Sequence, residues 1–247
     1  MHNLVIDIGN TFSKIALFNN RSLLSLKTVK DITVDSIDSI FKDHHVDNSI
    51  ISSVKSDVLS IEKFLKEKSN YIKFSTLVPS LILNKYRTPD TLGLDRYAGV
   101  IAAESIFPDE NCLVIDAGTC ITYDFKSNLK EYWGGSISPG LNMRFKAMHA
   151  FTSKLPDVQS DFNVGEDFGT DTQSSILTGV QKGIIYEVLG FINSYYLKWP
   201  GLKVLLCGGD VNFFDTQLKS SIFAHTLKTE PNLVLIGLNE VIHYNND

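Results

Sequence analysis

The fold of this chain is decided by a short segment that occurs twice, as LVIDIGNT at residues 4–11 and as LVIDAGTC at residues 113–120. Each copy begins as an apolar run of the kind found in buried strands and continues with an aspartate, a glycine and a threonine. A second apolar segment follows each copy, at residues 14–18 and 121–125. Each copy is therefore predicted to open a β-hairpin with its turn just after the aspartate.

The turn of each predicted hairpin has the composition of a phosphate-binding loop. Glycine lets the backbone approach an anion closely, and the threonine hydroxyl and turn amides can donate hydrogen bonds to phosphate oxygens. The aspartates, Asp7 and Asp116, can hold a cation or its waters opposite them. Two such turns near the starts of the two halves of the chain predict duplicated domains with a nucleotide in the cleft between them. This arrangement resembles the actin, hexokinase and Hsp70 type of fold.

Length and composition are those of a globular protein. The 247 residues can form one large domain or two of about 100 to 150 residues, each with its own core. A hydrophobic content of 43% with 21% charged residues is ordinary, and no apolar run approaches the roughly 18 to 20 residues that span a bilayer. The N-terminus leads directly into a strand, without the pattern of a signal peptide. We therefore expect a cytoplasmic protein without a membrane partner.

Charge and cysteine content exclude several classes of partner. The formal net charge is -5 and the basic residues are scattered, so a nucleic-acid partner is not expected. Cys112, Cys120 and Cys207 lie in or beside apolar strands, and no close Cys/His spacing accompanies them. They are predicted to be small buried thiols instead of a disulfide or a zinc site. The pair at residues 44–45, two histidines, is predicted to lie in a solvated loop.

The first half of the chain is predicted to be an α/β domain with a mixed sheet, covering residues 1–110. After the hairpin, its predicted elements are a strand at 22–28, a helix at 34–41, a strand at 49–54, a helix at 58–68, a strand at 71–77 and a helix at 96–107. The polar segment at residues 108–111 is the predicted boundary, because the second hairpin follows it at once.

The second predicted domain covers residues 111–247. Its later elements are a strand at 132–137, a helix at 141–151, a long helix at 174–199, a strand at 203–207 and a helix at 233–243. Glycines at positions 179, 183 and 190 lie on or near one face of the long helix and predict close packing, either inside the chain or between subunits. Paired glycines at 134–135 and 208–209 are either anion-binding or base-binding segments or plain turns.

A charged segment at residues 86–99, YRTPDTLGLDRYAG, has two interpretations. In the structural one, Asp95 caps a helix and Arg96 is solvated. In the functional one, Gly93, Asp95 and Arg96 line the cleft, with Asp95 as a general base and Arg96 as a bidentate clamp for a substrate carboxylate. Spacing alone leaves both open.

Taken in order, five motifs strongly resemble the type III pantothenate kinase family over essentially the whole chain. They are DIGNT at 7–11, GLDR at 93–96, DAGT at 116–119, GGSISPG at 134–140 and GGD at 208–210. The resemblance implies an α/β protein of two duplicated actin-like (ribonuclease H-like) domains with mixed sheets. It also implies ATP-dependent phosphorylation of pantothenate to 4'-phosphopantothenate, the first step of coenzyme A biosynthesis. The enzyme would be a cytoplasmic homodimer that needs K⁺ or NH₄⁺, with Mg²⁺ accompanying ATP.

The resemblance also assigns roles to the residues that match the family's motifs. Asp95 would be the proton acceptor, and Asp116 would hold the monovalent cation. The residues that would bind ATP are Asp7, Ile8, Gly9, Asn10, Thr11, Phe12, Ser13, Lys14 and Thr119. The residues that would bind pantothenate are Tyr86, Gly93, Leu94, Asp95, Arg96 and Thr172. Leu94 stands where a small residue is more usual, and Thr170 is a second candidate for the contact assigned to Thr172.

Two alternatives belong to other functional classes. A sugar or acetate-type kinase of the same superfamily would share the phosphate hairpins, but it would lack GxDR followed by GGxIxPG. A nonenzymatic nucleotide-binding regulator on the same fold would be expected to lose Asp95, which is present. Phosphoryl transfer depends mostly on positioning and charge neutralisation, and the predicted carboxylates, phosphate turns and single base meet that requirement.

Overall fold

The computed structural model describes residues 1–9, 12–53, 58–161 and 167–246. It is an α/β fold with two mixed sheets. The chain divides into two compact units. The first consists of Met1–Pro108, Lys130–Trp133 and Asn232–Asp247, and the second of Asp109–Leu129 and Gly134–Pro231. The predicted domains, 1–110 and 111–247, stay a prediction.

The strands of the described chain are, in order, β1 His2–Ile8, β2 Ser13–Asn19, β3 Ser22–Val29, β4 Asn48–Ser53, β5 Asn70–Lys73, β6 Leu83–Asn84, β7 Cys112–Ala117, β8 Cys120–Lys126, β9 Glu131–Pro139, β10 Lys203–Cys207 and β11 Leu227–Thr229. The helices are α1 Val34–Asp43, α2 Leu59–Lys68, α3 Leu94–Ile106, α4 Leu141–Ala150, α5 Thr172–Lys198, α6 Val211–Leu218 and α7 Leu233–Asn246. Short 3₁₀ turns lie at Pro89–Thr91 and Ala224–Thr226.

Both sheets have the same strand order, which confirms the predicted duplicated fold. The first sheet runs β3-β2-β1-β4-β5, and the corresponding part of the second runs β9-β8-β7-β10-β11. In each, the opening strand pairs antiparallel with the next strand and parallel with the fourth. The predicted strand at 71–77 is shorter than expected, because β5 ends at Lys73.

The first unit buries both faces of its sheet. On one face, alternate β1 residues such as Leu4 and Ile6 pack with Ile37 of α1 and Leu65 of α2. On the other face, α7 packs on β1 and β4 and against α3. Covering both faces with helices explains why β1 and β4 are almost continuously apolar.

Buried asparagines attach the last helix to the first unit. Asn3 Nδ2 donates to Asn239 Oδ1 at 2.9 Å, and Asn48 Nδ2 donates to Asn3 Oδ1 at 2.9 Å. Arg21 adds a bidentate ion pair with the buried Glu240, at 2.8 and 3.0 Å. Because buried amides must be hydrogen-bonded, this chain of contacts fixes the position of α7 on the sheet.

The second unit is built around α5. Six buried apolar residues of this helix join the core that also contains residues of β7, β8 and β10. Aromatic stacking adds to that packing, with Phe191 3.9 Å from Tyr123 and Trp199 4.0 Å from Phe125 between ring centroids. By length and composition α5 could span a bilayer, contrary to the expectation from sequence, but a helix buried in a core passes the same test.

The glycines of α5 do not pack against any other described part of the chain. A Cβ added at Gly179, Gly183 or Gly190 would meet no described atom within 4 Å. The predicted internal contact is therefore wrong, and the predicted subunit contact stays a prediction. The three cysteines are thiols as predicted, with Cys112 and Cys207 buried and Cys120 partly buried.

Candidate active site

Asp7 lies at the end of β1, where two neighbouring strands hold it. Its register partners are Lys14 on β2 and Ser52 on β4, and the Ser52 side chain makes a hydrogen bond with its carboxylate. Burial raises the pKa of Asp7 to about 6, repulsion from Asp95 adds to the rise, and Lys14 and Ser52 oppose it. Nothing in the sequence singled out Ser52, because it lies in an ordinary buried strand, one residue before its end.

The rest of the first predicted phosphate element is partly described. Gly9 donates its N–H to the Phe12 carbonyl at 3.2 Å and closes the hairpin turn, and Phe12 is exposed. Ser13 is buried, and its Oγ has no hydrogen-bond partner among the described atoms. Two other predicted ATP-binding residues, Asn10 and Thr11, lie outside the described residues.

The start of α3 carries the predicted base. The helix begins at Leu94 with Gly93 as its N-cap, and no side chain caps it. The structural interpretation of Asp95 as a helix cap is therefore wrong. Asp95 is exposed, and its Oδ1 accepts a hydrogen bond from the Arg96 N–H at 2.8 Å. An accessible carboxylate in the first turn of a helix can take a proton from a bound hydroxyl.

Arg96, by contrast, is buried, and its guanidinium lies over an aromatic ring. Only 7% of its surface is exposed, and its guanidinium lies 5.8 Å from the ring centroid of Tyr86. Tyr86 stacks on Tyr132, which also contacts Tyr97. The first unit thus brings together Tyr86, Gly93, Leu94, Asp95 and Arg96. A guanidinium stacked on an aromatic ring is a strong partner for a carboxylate.

In the second unit, Asp116 occupies the position that Asp7 has in the first. It is the last residue but one of β7 and lies between Thr122 on β8 and Cys207 on β10. Gly208, with φ of +98°, packs beside it, since an added Cβ would lie 2.5 Å from Asp116 Oδ1 and 2.3 Å from the Ala117 carbonyl. The segment after β10 is therefore fixed against the Asp116 turn, 92 positions earlier in the chain.

Thr119 lies exposed in the same turn, and the GGSISPG segment ends against it. Gly140 donates its N–H to the Thr119 carbonyl at 3.1 Å. A Cβ at Gly140 would lie 2.2 Å from the Gly118 oxygen. The paired glycines at 134–135 lie within β9, so they neither open a helix nor form a plain turn.

A small cavity lies next to this turn in the second unit. It is lined by Leu141, Asp161, Gly209, Asp210, Asn212 and Phe213, together with Ser160. Burial raises the pKa of the Asp210 carboxyl. An apolar ring beside amide and carboxyl acceptors can hold a flat base that carries an amino group. From the sequence, only the glycine pair at 208–209 was a candidate for base binding at this cavity.

Thr172 is the first residue of α5 and is exposed. Thr170 and Thr172 line the same open pocket, with Met148, Leu155 and Ile176. The structure therefore leaves the choice between the two threonines open. Within the described ranges, no three His, Cys, Asp or Glu side chains cluster as a metal site, so a cation at Asp116 would need other oxygen ligands.

Comparisons with known proteins agree with these motifs. The family model described as type III pantothenate kinase matches residues 3–195. A type III pantothenate kinase of Bacteroides fragilis is 43% identical over 249 residues, with 99% of this chain and 98% of the relative covered. The one from Christiangramia forsetii is 42% identical over 245 residues, with 98% of each chain covered.

Solved structures agree on the fold. A protein titled as a Baf family transcriptional activator from Campylobacter jejuni superposes with a TM-score of 0.61 at 24% identity, covering 98% of each chain. A glucokinase from an Antarctic psychrotroph superposes with a TM-score of 0.51 at 12% identity, also covering 98% of each. These likenesses show the actin-like kinase fold alone. The family model and the curated relatives show that the chain belongs to the type III pantothenate kinase family, the phosphotransferases of coenzyme A biosynthesis.

Proposed function

We propose that this protein transfers the γ-phosphoryl group of ATP to the primary hydroxyl of pantothenate and forms 4'-phosphopantothenate. The observation that carries the proposal is the start of α3, where an exposed Asp95 follows Gly93 and adjoins the buried Arg96. A base and a carboxylate clamp side by side suit a substrate that has a hydroxyl and a carboxylate. Pantothenate has both.

In this proposal Asp95 accepts the hydroxyl proton as the oxygen attacks phosphorus. Arg96 binds the pantothenate carboxylate, and the Tyr86 ring beneath its guanidinium holds that side chain in place. Gly93, Leu94 and Thr172 complete the pantothenate site. Two charged groups on one helix turn fix the distance between the attacking oxygen and the carboxylate, which is the positioning that phosphoryl transfer needs.

ATP would be bound by two turns of like construction. Residues 7–14 and Thr119 would supply donors for phosphate oxygens, and the Asp7 carboxylate would hold the Mg²⁺ that accompanies ATP. The adenine base fits the cavity at Gly209–Phe213, where Asp161 and Asn212 can accept from its amino group. Support for this assignment comes from the equivalent positions of Asp7 and Asp116 in the two sheets.

A monovalent cation is proposed at Asp116. K⁺ and NH₄⁺ are bound by oxygen atoms, and the residues near Asp116 fit such an ion. Thr122 stands opposite Asp116 in register, and its buried Oγ1 has no hydrogen-bond partner among the described atoms. Paired residues on adjacent strands present their side chains on the same face. When bound, the cation would neutralise phosphate charge beside the carboxylate.

A coupled assay tests the proposed activity. Purified protein is supplied with ATP, Mg²⁺, K⁺ and pantothenate, and ADP is measured with a coupling enzyme. We expect ADP to appear with pantothenate and not with glucose or acetate as acceptors. ADP formation with a sugar alone would assign the protein to another kinase class. Nucleotide binding without any turnover would favour the regulator, although a regulator that does not catalyse phosphoryl transfer would have no need of Asp95 and Arg96.

We propose that the enzyme acts in the cytoplasm as a homodimer.

A further inference from the structure

We propose that Glu187, in the middle of α5, is a positioning residue for ATP binding. Through Arg144 it holds the Pro139–Gly140 segment against the turn that contains Gly118 and Thr119. The inference rests on the proposed contact between Thr119 and ATP. It concerns the second unit alone, in which all of these residues lie.

Glu187 collects hydrogen bonds from three other elements. Its Oε1 accepts from the Ser138 hydroxyl at 2.5 Å and from the Tyr123 hydroxyl at 2.9 Å, and its Oε2 accepts from Arg144 Nη2 at 2.5 Å. These donors belong to β9, β8 and α4. Glu187 is the one acidic residue of α5, a helix whose neighbouring side chains form the core. A carboxylate placed there requires such partners, because its desolvation is otherwise costly.

A continuous series of contacts links Glu187 to the turn that contains Gly118 and Thr119. Arg144 Nε donates to the Pro139 carbonyl at 2.9 Å, so the guanidinium bridges Glu187 and the end of β9. The next residue, Gly140, donates to the Thr119 carbonyl at 3.1 Å and lies directly against Gly118. Because no space separates Gly140 from the turn, a shift of Pro139–Gly140 moves Thr119 as well.

The ionised Glu187 and the neutral Tyr123 keep their hydrogen bonds at neutral pH. Burial opposes ionisation of Glu187, but the hydrogen bonds from Ser138, Arg144 and Tyr123 outweigh it and keep the pKa of this carboxyl low. Burial and the adjacent Glu187 raise the pKa of the Tyr123 phenol, which stays a neutral donor. The network therefore keeps its charge through the neutral pH range, and its loss should not alter the pH profile.

Three variants separate positioning from general stability. Glu187→Ala and Arg144→Ala each break the bridge to Pro139, whereas Tyr123→Phe removes one donor to the same carboxylate and leaves the bridge intact. We expect each bridge variant to raise the KM for ATP about tenfold, since small displacements of binding groups have effects of this order or larger. The KM for pantothenate should stay within about twofold in all three variants.

A double variant and an equilibrium measurement complete the test. The effects of two substitutions that break the same bridge are not additive. The double variant Glu187→Ala/Arg144→Ala should therefore raise the KM for ATP no more than the more affected single variant. The Kd of a fluorescent ATP analogue should rise in parallel with the KM. If Glu187→Ala does not fold, Glu187→Gln keeps the shape and the two hydroxyl bonds but removes the ion pair, and should give a smaller rise in the same direction.

Three results would overturn the inference. They are an unchanged Kd for the analogue in folded bridge variants, an equal rise of both KM values, and additive effects in the double variant. Because analogue binding does not require pantothenate, the outcome is separate from the proposed reaction. A wild-type protein that turns over no pantothenate but shows Glu187-dependent nucleotide binding would support the inference and refute the function.

Discussion

Asp95 has the exposure of a base and is not the N-cap of α3, although its side chain accepts a hydrogen bond from the Arg96 N–H in the first turn. Asp95→Asn keeps its shape but removes proton acceptance, so we expect kcat to fall about a hundred- to ten-thousandfold with pantothenate binding retained. The melting temperature should hardly change, because Gly93 is the N-cap. Steady-state kinetics and thermal melts measure both. Asp90→Asn, at an exposed acidic position in the same segment, is the matched control. A folded Asp95→Asn enzyme with wild-type kcat would end the general-base proposal.

Arg96 should affect binding instead of chemistry. A charged hydrogen bond is worth about 1.5 to 3 kcal/mol, so Arg96→Ala should raise the KM for pantothenate by roughly one to two orders of magnitude. The kcat at saturation should be largely kept, since a carboxylate clamp holds ground and transition states alike. Arg87→Ala, at an exposed site nearby, serves as the control. A normal KM in the folded Arg96→Ala enzyme would contradict the clamp.

Asp7 should make both stability and activity depend on pH. Its folded pKa of about 6 exceeds the ordinary value of 3.8, so folding favours the protonated form. Its contribution to stability is greatest below the unfolded pKa and is lost as the pH rises through 6. Asp7→Asn, which cannot ionise, should therefore raise the melting temperature at pH 8 by roughly 2 to 5 °C and have little effect near pH 4.

The activity of the wild type, unlike the contribution of Asp7 to its stability, should increase as the pH rises. An ionised Asp7 is needed opposite the phosphates and Mg²⁺, so kcat/KM for ATP should fall as the pH drops through about 6. Asp7→Asn should be poorly active at every pH in spite of its greater stability. The wild type and Asp7→Asn are compared by their melting temperatures across this pH range. If the difference between them does not vary with pH, the pKa of Asp7 is not raised.

The β7–β8 turn should respond to the identity of the monovalent cation. Asp116, Thr122 and phosphate oxygens form the proposed ligand set, and Na⁺ is too small for the cage that suits K⁺ or NH₄⁺. We expect activity to fall sharply in Na⁺ and to recover in K⁺ or NH₄⁺, and ATP to raise the melting temperature more in K⁺. Asp116→Asn should abolish both differences, whereas Asp157→Asn, exposed in the same unit, should not. Equal rates in all three cations would refute the assignment.

Helix α5 has a face on which an added glycine Cβ meets no atom of the described chain, and we predict that a second copy of the protein packs there. Gly179, Gly183 and Gly190 recur on that face together with Tyr186 and Leu197, whose exposed fractions are 65% and 73%. Alternating steps of four and three residues are the spacing of a helix-pairing seam. Glycines would let two backbones approach closely there.

At the level of the molecule, this face predicts a homodimer. Light scattering at micromolar concentration should report twice the chain mass. Gly183→Trp should yield a folded monomer, because a Cβ added there meets no described atom within 4 Å, whereas an indole at this position would block a partner helix. Glu67→Trp, at an exposed position of α2, should leave the dimer intact. A monomeric, active wild type or a dimeric Gly183→Trp would contradict the prediction.

Most elements and the motif residues followed from sequence, because the information that specifies them is local. Alternation and continuous apolar runs mark strands within five to nine residues, as at β1, β7 and β10, and glycine next to threonine marks the turns. The repeated hairpin was enough to predict the duplicated α/β fold, because each of the two sheets is built around one copy of it, β1–β2 or β7–β8. The family followed from five short motifs in the right order.

Tertiary structure decided what depends on residues far apart in the chain. That Gly208 and Gly140 close on the Asp116 turn, and that Glu187 reaches it through Arg144, arises from packing between elements and not from any local pattern. Asn239 brings the last helix to the first strand across 236 positions. The same packing leaves the α5 glycines without a close neighbour among the described residues. Local propensity acts over a few residues, whereas burial and hydrogen-bond satisfaction are set by the whole fold.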